Sequence, residues 1–334
     1  MKITIKDIAK YAGVSTATVS MIVNKNDERI SSQTREKVLK VIEEYNYVPN
    51  RVASSLVTKK TKTIGLVIPD IANPFFPEIA RGVEDKANDE GYTVILCNSD
   101  NVLTKEDSYI DMLQEKMVDG IVFTASSRRT SISSSLEKVK VPVITVDRDI
   151  PNLTKQGKIA VNNEHGAYNI VSYMIEKGYK KICHITGPLT SKTARDRYNG
   201  YVHAHKENNI SLLSHHLYDG AYTSIWGIEA VDALLKDGYE FDSIFCGNDM
   251  IAVGAMKGLE KHGLNVPNDI GVVGFDDIEI AQLVTPELTT VRQPKYEMGY
   301  KAAEMLIKMI DNEHNDQFEY LLNTEMVIRN SIRK

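Results

Sequence analysis

No apolar run in this sequence approaches the roughly 18 residues that a membrane-spanning helix needs. The opening stretch, MKITIKDIAKYAGVS, has no apolar core segment and no small-residue cleavage site, so no signal peptide is expected. Cysteine is scarce. Cys97, Cys183 and Cys246 are odd in number and far apart, which excludes a disulfide framework and any zinc-ligand spacing. A reducing, cytoplasmic setting follows as the expectation. Cys97 and Cys246 end the apolar stretches TVILC and SIFC and read as buried strand thiols. Enzyme signatures are also missing: there is no GxGxxG, no Walker A loop and no GxSxG elbow. No enzymatic activity, cofactor or metal is expected. His203/His205 and His215/His216 fall on or beside a surface helix, with no carboxylate or cysteine at ligand spacing, and read as solvated imidazoles.

What is present is an ordinary globular composition, 42% hydrophobic and 25% charged, over 334 residues. That length is too great for one core and suits two or three domains. The net charge of −5 conceals an asymmetry. Residues 1–60 carry 11 Lys/Arg and 6 Asp/Glu, a balance of +5, and the remainder carries 29 against 39. A basic head on an acidic body suits a polyanion met by the head alone, although surface charge also varies by chance.

The head has three helical patterns. Ile5, Ile8, Ala9 and Ala12 share a face in IKDIAKYA, with Thr4 as cap and Asp7 in the first turn. Gly13 can turn with positive φ, and Ser15 can cap a second helix, TATVSMIVN. A third pattern runs from about Ser32 to Tyr45, with Val38, Leu39, Val41, Ile42 and Tyr45 on one face. Asn46 is a left-handed stop, and Pro49 prevents resumption. Two short helices joined by a tight turn and covered by a third describe a helix-turn-helix; a bundle that binds protein would share the pattern. In the second helix Val19, Ile22 and Val23 point inward. Ala17, Ser20, Met21 and Asn24, with Thr16 beside them, make a small, hydroxylated, uncharged face able to reach base edges in a major groove.

The stretches TIKDIAKYAGVSTATVSMIVN, TREKVLKVIEEYNYVPNRVASSL and TIGLVIPDIANPFFPEIARGVED resemble, in order, the LacI/GalR family of bacterial transcription repressors. The resemblance runs through nearly the whole chain. It implies DNA contacts from Thr4, Ser15, Thr16, Ala17, Thr18, Ser20, Met21, Asn24, Ser31 and Tyr47. It also implies a hinge helix, PNRVASSL, with DNA contacts from Ala53 and Leu56, Leu56 entering the minor groove as an apolar wedge that kinks the duplex. So short a helix is marginal alone in water, so it should order on DNA beside a second subunit and fray otherwise. Where many members carry Arg or His, this chain has Met21, which cannot contact guanine bidentately. An operator variant with weaker guanine preference is expected there. The hinge has Ser54 and Val57 in place of frequent basic residues, with Lys59 and Lys60 just beyond. The implied domains are 1–49 for the helix-turn-helix, 50–61 for hinge and linker, and 62–334 for a sugar-binding effector and dimerisation body. Within the body, the N-lobe is about 62–161 and 293–322, and the C-lobe about 162–292 and 323–334.

In the body, TIGLVIP, TVILCNS, GIVFTA, VPVITVD, KICHITG, SIFCGND and IGVVGFDD are apolar β-rich runs that alternate with amphipathic helices. That pattern is α/β, with two doubly wound lobes built on parallel sheets. Ligands bind such sheets beyond the carboxyl ends of the strands. The residues standing there are Asn73, Phe75 and Phe76; Asp147 and Arg148; Arg195, Asp196 and Arg197; Tyr222; Asn248 and Asp249; Asp276 and Asp277; and Gln293. Aromatic faces beside carboxylates, amides and guanidinium groups suit a polyhydroxylated ligand, whose absence would leave the polar groups unpaired. Taken singly, any of them could be a cap, a surface ion pair or a core ring.

The body also resembles the periplasmic sugar-binding fold. Its Asn73, Phe75, Phe76, Asp147, Arg148, Arg197, Asn248, Asp276 and Gln293 match the ribose-binding pattern, with Tyr222 where that pattern has Phe. ITGPLTSKTARDRYNGY and the stretch from VVGFDD to QPKYEMG resemble ribose-operon repressors most; purine repressors lack the Asp–Arg pair. The implied protein is a cytoplasmic, nucleoid-associated repressor. It binds a pseudo-palindromic operator as a homodimer and is induced by D-ribose. No heptad repeat follows VIRNSIRK, which favours a dimer over a tetramer. Two readings compete: a catabolite regulator docking a phosphorylated carrier protein, or a repressor answering another pentose or hexose. A sugar-transport protein is disfavoured by the basic head.

Overall fold

The computed structural model describes residues 3–23, 27–48, 60–148, 150, 153, 156–212, 217–311 and 318–333. The chain divides into two compact units, Met1–Thr61 and Lys62–Lys334.

The smaller unit is built on three helices. In α1 (Ile5–Ala12) the Asp7 carboxylate accepts from the Thr4 backbone N–H at 2.9 Å and from its hydroxyl at 2.6 Å. Gly13 ends the helix at φ 63°, a left-handed conformation that a Cβ would oppose. α2 (Thr16–Val23) is capped by Ser15, whose Oγ accepts the Thr18 N–H at 3.1 Å. α3 (Ser32–Glu44) is capped by Ser31, and left-handed Asn46 at φ 46° follows its end. These helices and stops match the sequence reading. Their core is Ile8, Ala9, Ala12, Val19, Ile22 and Val38, with Val23, Val41 and Ile42 packed against it.

Two residues assigned to the inner face of α3 lie elsewhere. Leu39 is 45% exposed and Tyr45 38% exposed. So small a bundle covers only the arc through Val38, Val41 and Ile42, and Leu39 falls at its edge. Tyr45 stacks on Tyr11 instead, with ring centroids 4.6 Å apart.

The larger unit opens with β1 (Thr63–Ile68), α4 (Phe75–Asp89), β2 (Thr93–Asn98), α5 (Leu103–Glu115), β3 (Gly120–Phe123), α6 (Ser134–Glu137), β4 (Val143–Val146) and β5 (Gln156–Val161). It continues through α7 (Asn163–Glu176), β6 (Ile182–Thr186), α8 (Lys192–Glu207), β7 (Leu217–Asp219), α9 (Ser224–Asp237), β8 (Ser243–Cys246), α10 (Asp249–Lys261), β9 (Gly271–Val273) and α11 (Ile280–Leu283). β10 (Thr290–Arg292), α12 (Lys295–Ile310), β11 (Phe318–Leu322) and β12 (Glu325–Val327) complete it. One sheet has the order β11-β5-β4-β3-β1-β2, the other β7-β6-β8-β9, and all pairings within both are parallel. Central strands such as β3 and β4 are buried throughout, as helices on both faces of a parallel sheet require. β10 and β12 form an antiparallel ribbon against α7. The chain passes between the lobes at 161–163, 292–295 and 322–325.

Helix pairs within each lobe meet backbone to backbone. In the α4–α12 pair, a Cβ on Gly82 would stand 2.1 Å from the Tyr296 carbonyl oxygen, and one on Gly299 2.0 Å from that of Ile79. The α9–α10 pair repeats this, with Gly227 against the Ile251 carbonyl and Gly254 against that of Ser224. All three cysteines are buried, including Cys183, and burial raises each thiol pKa.

The histidine reading needs correction. His203 does have a carboxylate, Glu207, at 3.3 Å one helical turn on. His205 is not solvated; it is buried, with its Nδ1 2.8 Å from the Tyr201 carbonyl, and burial lowers its pKa. His205 lies one turn beyond buried Tyr201 on the inner face of α8, while His203, two positions earlier, falls on the outer face. His215 and His216 lie outside the described residues.

Candidate effector cavity and nucleic-acid interface

The carboxyl ends of the two sheets face each other across a cavity. Asn73, Phe75, Phe76, Asp147, Arg148, Thr193, Arg197, Tyr222, Asn248 and Asp276 line it, around about 240 Å³ of empty space. Each wall residue is placed by its local chain. Asn73 Oδ1 accepts the Phe75 N–H at 3.1 Å and so sets the first turn of α4, which carries Phe75 and Phe76 edge to face at 5.2 Å. Asp147 follows β4 in a left-handed conformation, φ 63°, with its N–H on the Ile159 carbonyl at 3.0 Å. Arg148 Nη1 donates to the Ala125 carbonyl at 3.2 Å, and its Nε lies 3.5 Å from Asp147 Oδ2. Its guanidinium carbon stands 5.6 Å from the Phe76 ring and 5.2 Å from the Tyr222 ring, so it bridges an N-lobe and a C-lobe aromatic.

Arg197, on α8, is buried and held on three sides. Nε donates to Asn163 Oδ1 at 2.8 Å, Nη1 to the Gly247 carbonyl at 2.5 Å, and Nη2 lies 3.6 Å from Asp276 Oδ1. Its guanidinium sits 3.9 Å above the Phe275 ring. Asn248 caps α10, its Oδ1 accepting the Ile251 N–H at 2.9 Å, which leaves the amide nitrogen for a ligand. Tyr222 packs on the backbone of Gly187, where a Cβ would stand 2.3 Å from the ring. Asp276 adopts φ 120°, a conformation that stores strain of about 1–3 kcal/mol and aims the carboxylate inward. Burial pushes its pKa up to about 6; Arg197 pulls it down and Asp147 pushes it up. Two carboxylates and two guanidinium groups on aromatic walls can accept and donate to several hydroxyls at once.

The structure brings together nine of the ten effector residues read from the sequence. Gln293 stands behind the wall: its Nε2 donates to Asp276 Oδ1 at 2.6 Å, and its Oε1 is buried with no hydrogen bond among the described residues. Asp147 and Arg148 both reach the cavity, whereas Asn248–Asp249, Asp276–Asp277 and the Arg195–Asp196–Arg197 run each contribute one member. Asp249 turns into the core and accepts from Thr290 and the Ile278 N–H, its pKa raised by burial. Asp277 pairs with Arg292 and Arg329 at 2.7 and 2.6 Å. Asp196 pairs with Lys192 on the surface, and Arg195 holds the backbone of its own loop.

Three residues escaped the sequence reading. Thr193 lies four positions before Arg197, and that helical spacing could have found it. Asn163 follows β5, a strand not singled out from sequence. Lys295 is buried, with its Nζ on the carbonyls of Asp276 and Asp277 at 2.9 and 2.8 Å. Among the described residues no group of three or more His, Cys, Asp and Glu could hold a metal ion, and no helix is long and apolar enough to cross a membrane.

In the smaller unit, α2 turns Val19 and Ile22 inward and leaves Thr16, Ala17 and Met21 exposed, with Thr18 and Ser20 partly so. Met21 is 40% exposed. Thr4, Ser15 and Ser31 stand at the N-termini of the three helices, where backbone N–H groups favour anions such as phosphate. Tyr47 is partly buried, its N–H on the Ile42 carbonyl at 2.9 Å. Asn24, Ala53 and Leu56, with nearly all of the hinge, lie outside the described residues.

Comparison with known proteins covers both units. Residues 4–50 match the family model for bacterial regulatory proteins of the lacI family, and residues 61–329 that for periplasmic binding proteins and the sugar-binding domain of the same family. The chain is 39% identical over 334 residues to the ribose operon repressor of Halalkalibacterium halodurans, covering 99% of this chain and 97% of that one. It is 37% identical over 332 residues to the transcriptional repressor PurR of Vibrio vulnificus, covering 99% of each. The Lac repressor dimer bound to operator and an anti-inducer superposes with a TM-score of 0.86 at 27% identity, over 99% of both chains. An Enterococcus faecium regulator with bound ribose gives 0.71 at 26% identity, over 81% of this chain and 98% of that one.

Proposed function

We propose that this chain, which belongs to the LacI family of bacterial regulatory proteins, is a repressor whose hold on its operator is released by D-ribose. Its coarser character is settled: it is a DNA-binding transcriptional repressor with a sugar-binding domain, and not an enzyme. The ribose assignment is carried by one observation, the cavity in which Asp147, Arg148, Arg197, Asn248 and Asp276 face Phe75, Phe76 and Tyr222. The name of the Halalkalibacterium relative and the ribose in the Enterococcus structure support the same ligand.

In this reading the protein works on the bacterial nucleoid as a homodimer, with α2 of each copy in the major groove of a pseudo-palindromic site. Ribose favours the closed arrangement of the lobes and lowers operator affinity, a coupling on the order of 1–3 kcal/mol. Docking of a phosphorylated carrier protein is compatible with this role and has no specific residue here to support it.

A thermal-shift screen of pentoses and hexoses tests the assignment. Ribose should stabilise the native protein, and the shift should vanish in both Arg197→Ala and Asp147→Ala. A shift that survives both changes moves the site elsewhere. No shift with ribose, and one with a hexose, replaces the ligand.

A further inference from the structure

Away from the chain crossings, the loop after β6 touches the loop after β3 across the cleft. The Thr190 hydroxyl donates to the Ser127 carbonyl oxygen at 3.1 Å. In sheet order β3 stands two strands from β5, where the chain first crosses, and β6 stands two strands from β9. At about 4.8 Å per strand, the contact lies roughly 10 Å from the crossings. Opening the lobes moves this point farther than any point beside the crossings, so a bond here resists opening more effectively.

Both ends of the bond are held. On the C-lobe side Arg195 Nη1 donates to the carbonyls of Leu189 and Thr190 at 2.8 and 2.7 Å, which fixes the loop that carries Thr190. On the N-lobe side the Ser127 N–H reaches Asn101 Oδ1 at 3.4 Å, and the Ser126 N–H donates to Glu106, itself paired with Arg129 at 2.7 Å. Each loop also touches the cavity wall. Ala125 accepts from Arg148, while the Ser191 and Thr193 hydroxyls lie 2.8 Å apart and Thr193 stands 3.4 Å from the Tyr222 hydroxyl.

We propose that Thr190 is a positioning residue that holds the lobes together over the effector site, and that Arg195 aims it. The inference rests on reading the cavity as that site. A ligand in the cavity and the Thr190–Ser127 bond favour the same arrangement, so each strengthens the other.

The test uses the full chain with spin labels at Lys138→Cys and Lys236→Cys, exposed positions on opposite lobes; the native cysteines are buried. Labelled protein is diluted into unlabelled protein, so that only pairs within one chain are read by electron–electron distance measurement. Thr190→Val keeps the side-chain shape and removes the donor. It should shift the population toward longer separations by roughly twofold to tenfold, the worth of one neutral hydrogen bond. Thr190→Ser should restore the native distribution, and Arg195→Met should reproduce the shift. An unchanged distribution in Thr190→Val overturns the proposal. In a parallel stopped-flow experiment D-ribose should leave Thr190→Val twofold to tenfold faster, with association unaltered. If ribose binds no form of the protein, the ribose assignment fails, and the distance measurement still decides the role of Thr190.

Discussion

Under the proposed function, two side chains should set what this repressor reads. Met21 stands exposed on the face of α2 that the sequence assigns to the groove, and a thioether makes no bidentate contact with guanine. Met21→Arg should favour sites with guanine at the contacted step by about 1–3 kcal/mol, measured by binding to a randomised operator library; an unaltered preference would mean the side chain does not face bases. Asp276 governs the other end. Its pKa is raised to about 6 by burial against the pull of Arg197, with Asp147, Lys295 and Gln293 also facing it. Protonation below that value removes the charge that Arg197 and a sugar hydroxyl would share. Ribose affinity should therefore fall as the pH drops from 7.5 through 6. Stability runs the other way for this group: the folded state binds the proton more tightly than the unfolded chain, so its contribution rises as the pH falls from 7 toward the unfolded value near 4. Calorimetric titration and thermal melts over the same pH range separate the two, and Asp276→Asn should flatten both.

Elements carry the next level. The loop after β3 depends on a buried ion pair, in which Arg129 reaches Glu106 and Asp107 at 2.7 Å each, while burial raises the Glu106 pKa. Arg129→Met would strand a buried carboxylate, at a cost of about 3–5 kcal/mol; chemical denaturation reads it directly, and Glu106→Gln combined with Arg129→Met should recover part of the loss. Nothing in the sequence announced this pair, because Glu106 looks like any solvated residue of an amphipathic helix until the loop folds over it. The strong strands were legible because central parallel strands are apolar throughout. β5, β7, β10, β11 and β12 were not singled out; they are short or marginal, and QGKIAV or EMV lacks the apolar run that marks a buried strand. The cavity was legible for a related reason: strand ends are fixed once the strands are found. The division of labour within Asn248–Asp249 and Asp276–Asp277 was not, since it depends on backbone angles such as φ 120° at Asp276 that side-chain identity does not encode.

At the scale of the molecule, a basic head and an acidic body belong to separate compact units. Their ligands should stabilise them separately. In scanning calorimetry of the full chain, ribose at a hundredfold excess over Kd should stabilise the larger unit by about 2.7 kcal/mol and leave the smaller transition in place. Operator DNA should do the reverse, with an affinity that falls steeply in salt. A single transition moved by both ligands would show that the units unfold as one. The glycines that let α4 meet α12 and α9 meet α10 bear on how a signal crosses the larger unit. Where carbonyl lies against glycine, no layer of side chains is free to yield. Each lobe should then act as a plate of low compliance, so that a sugar bound at its rim would displace the far edge with little repacking on the way.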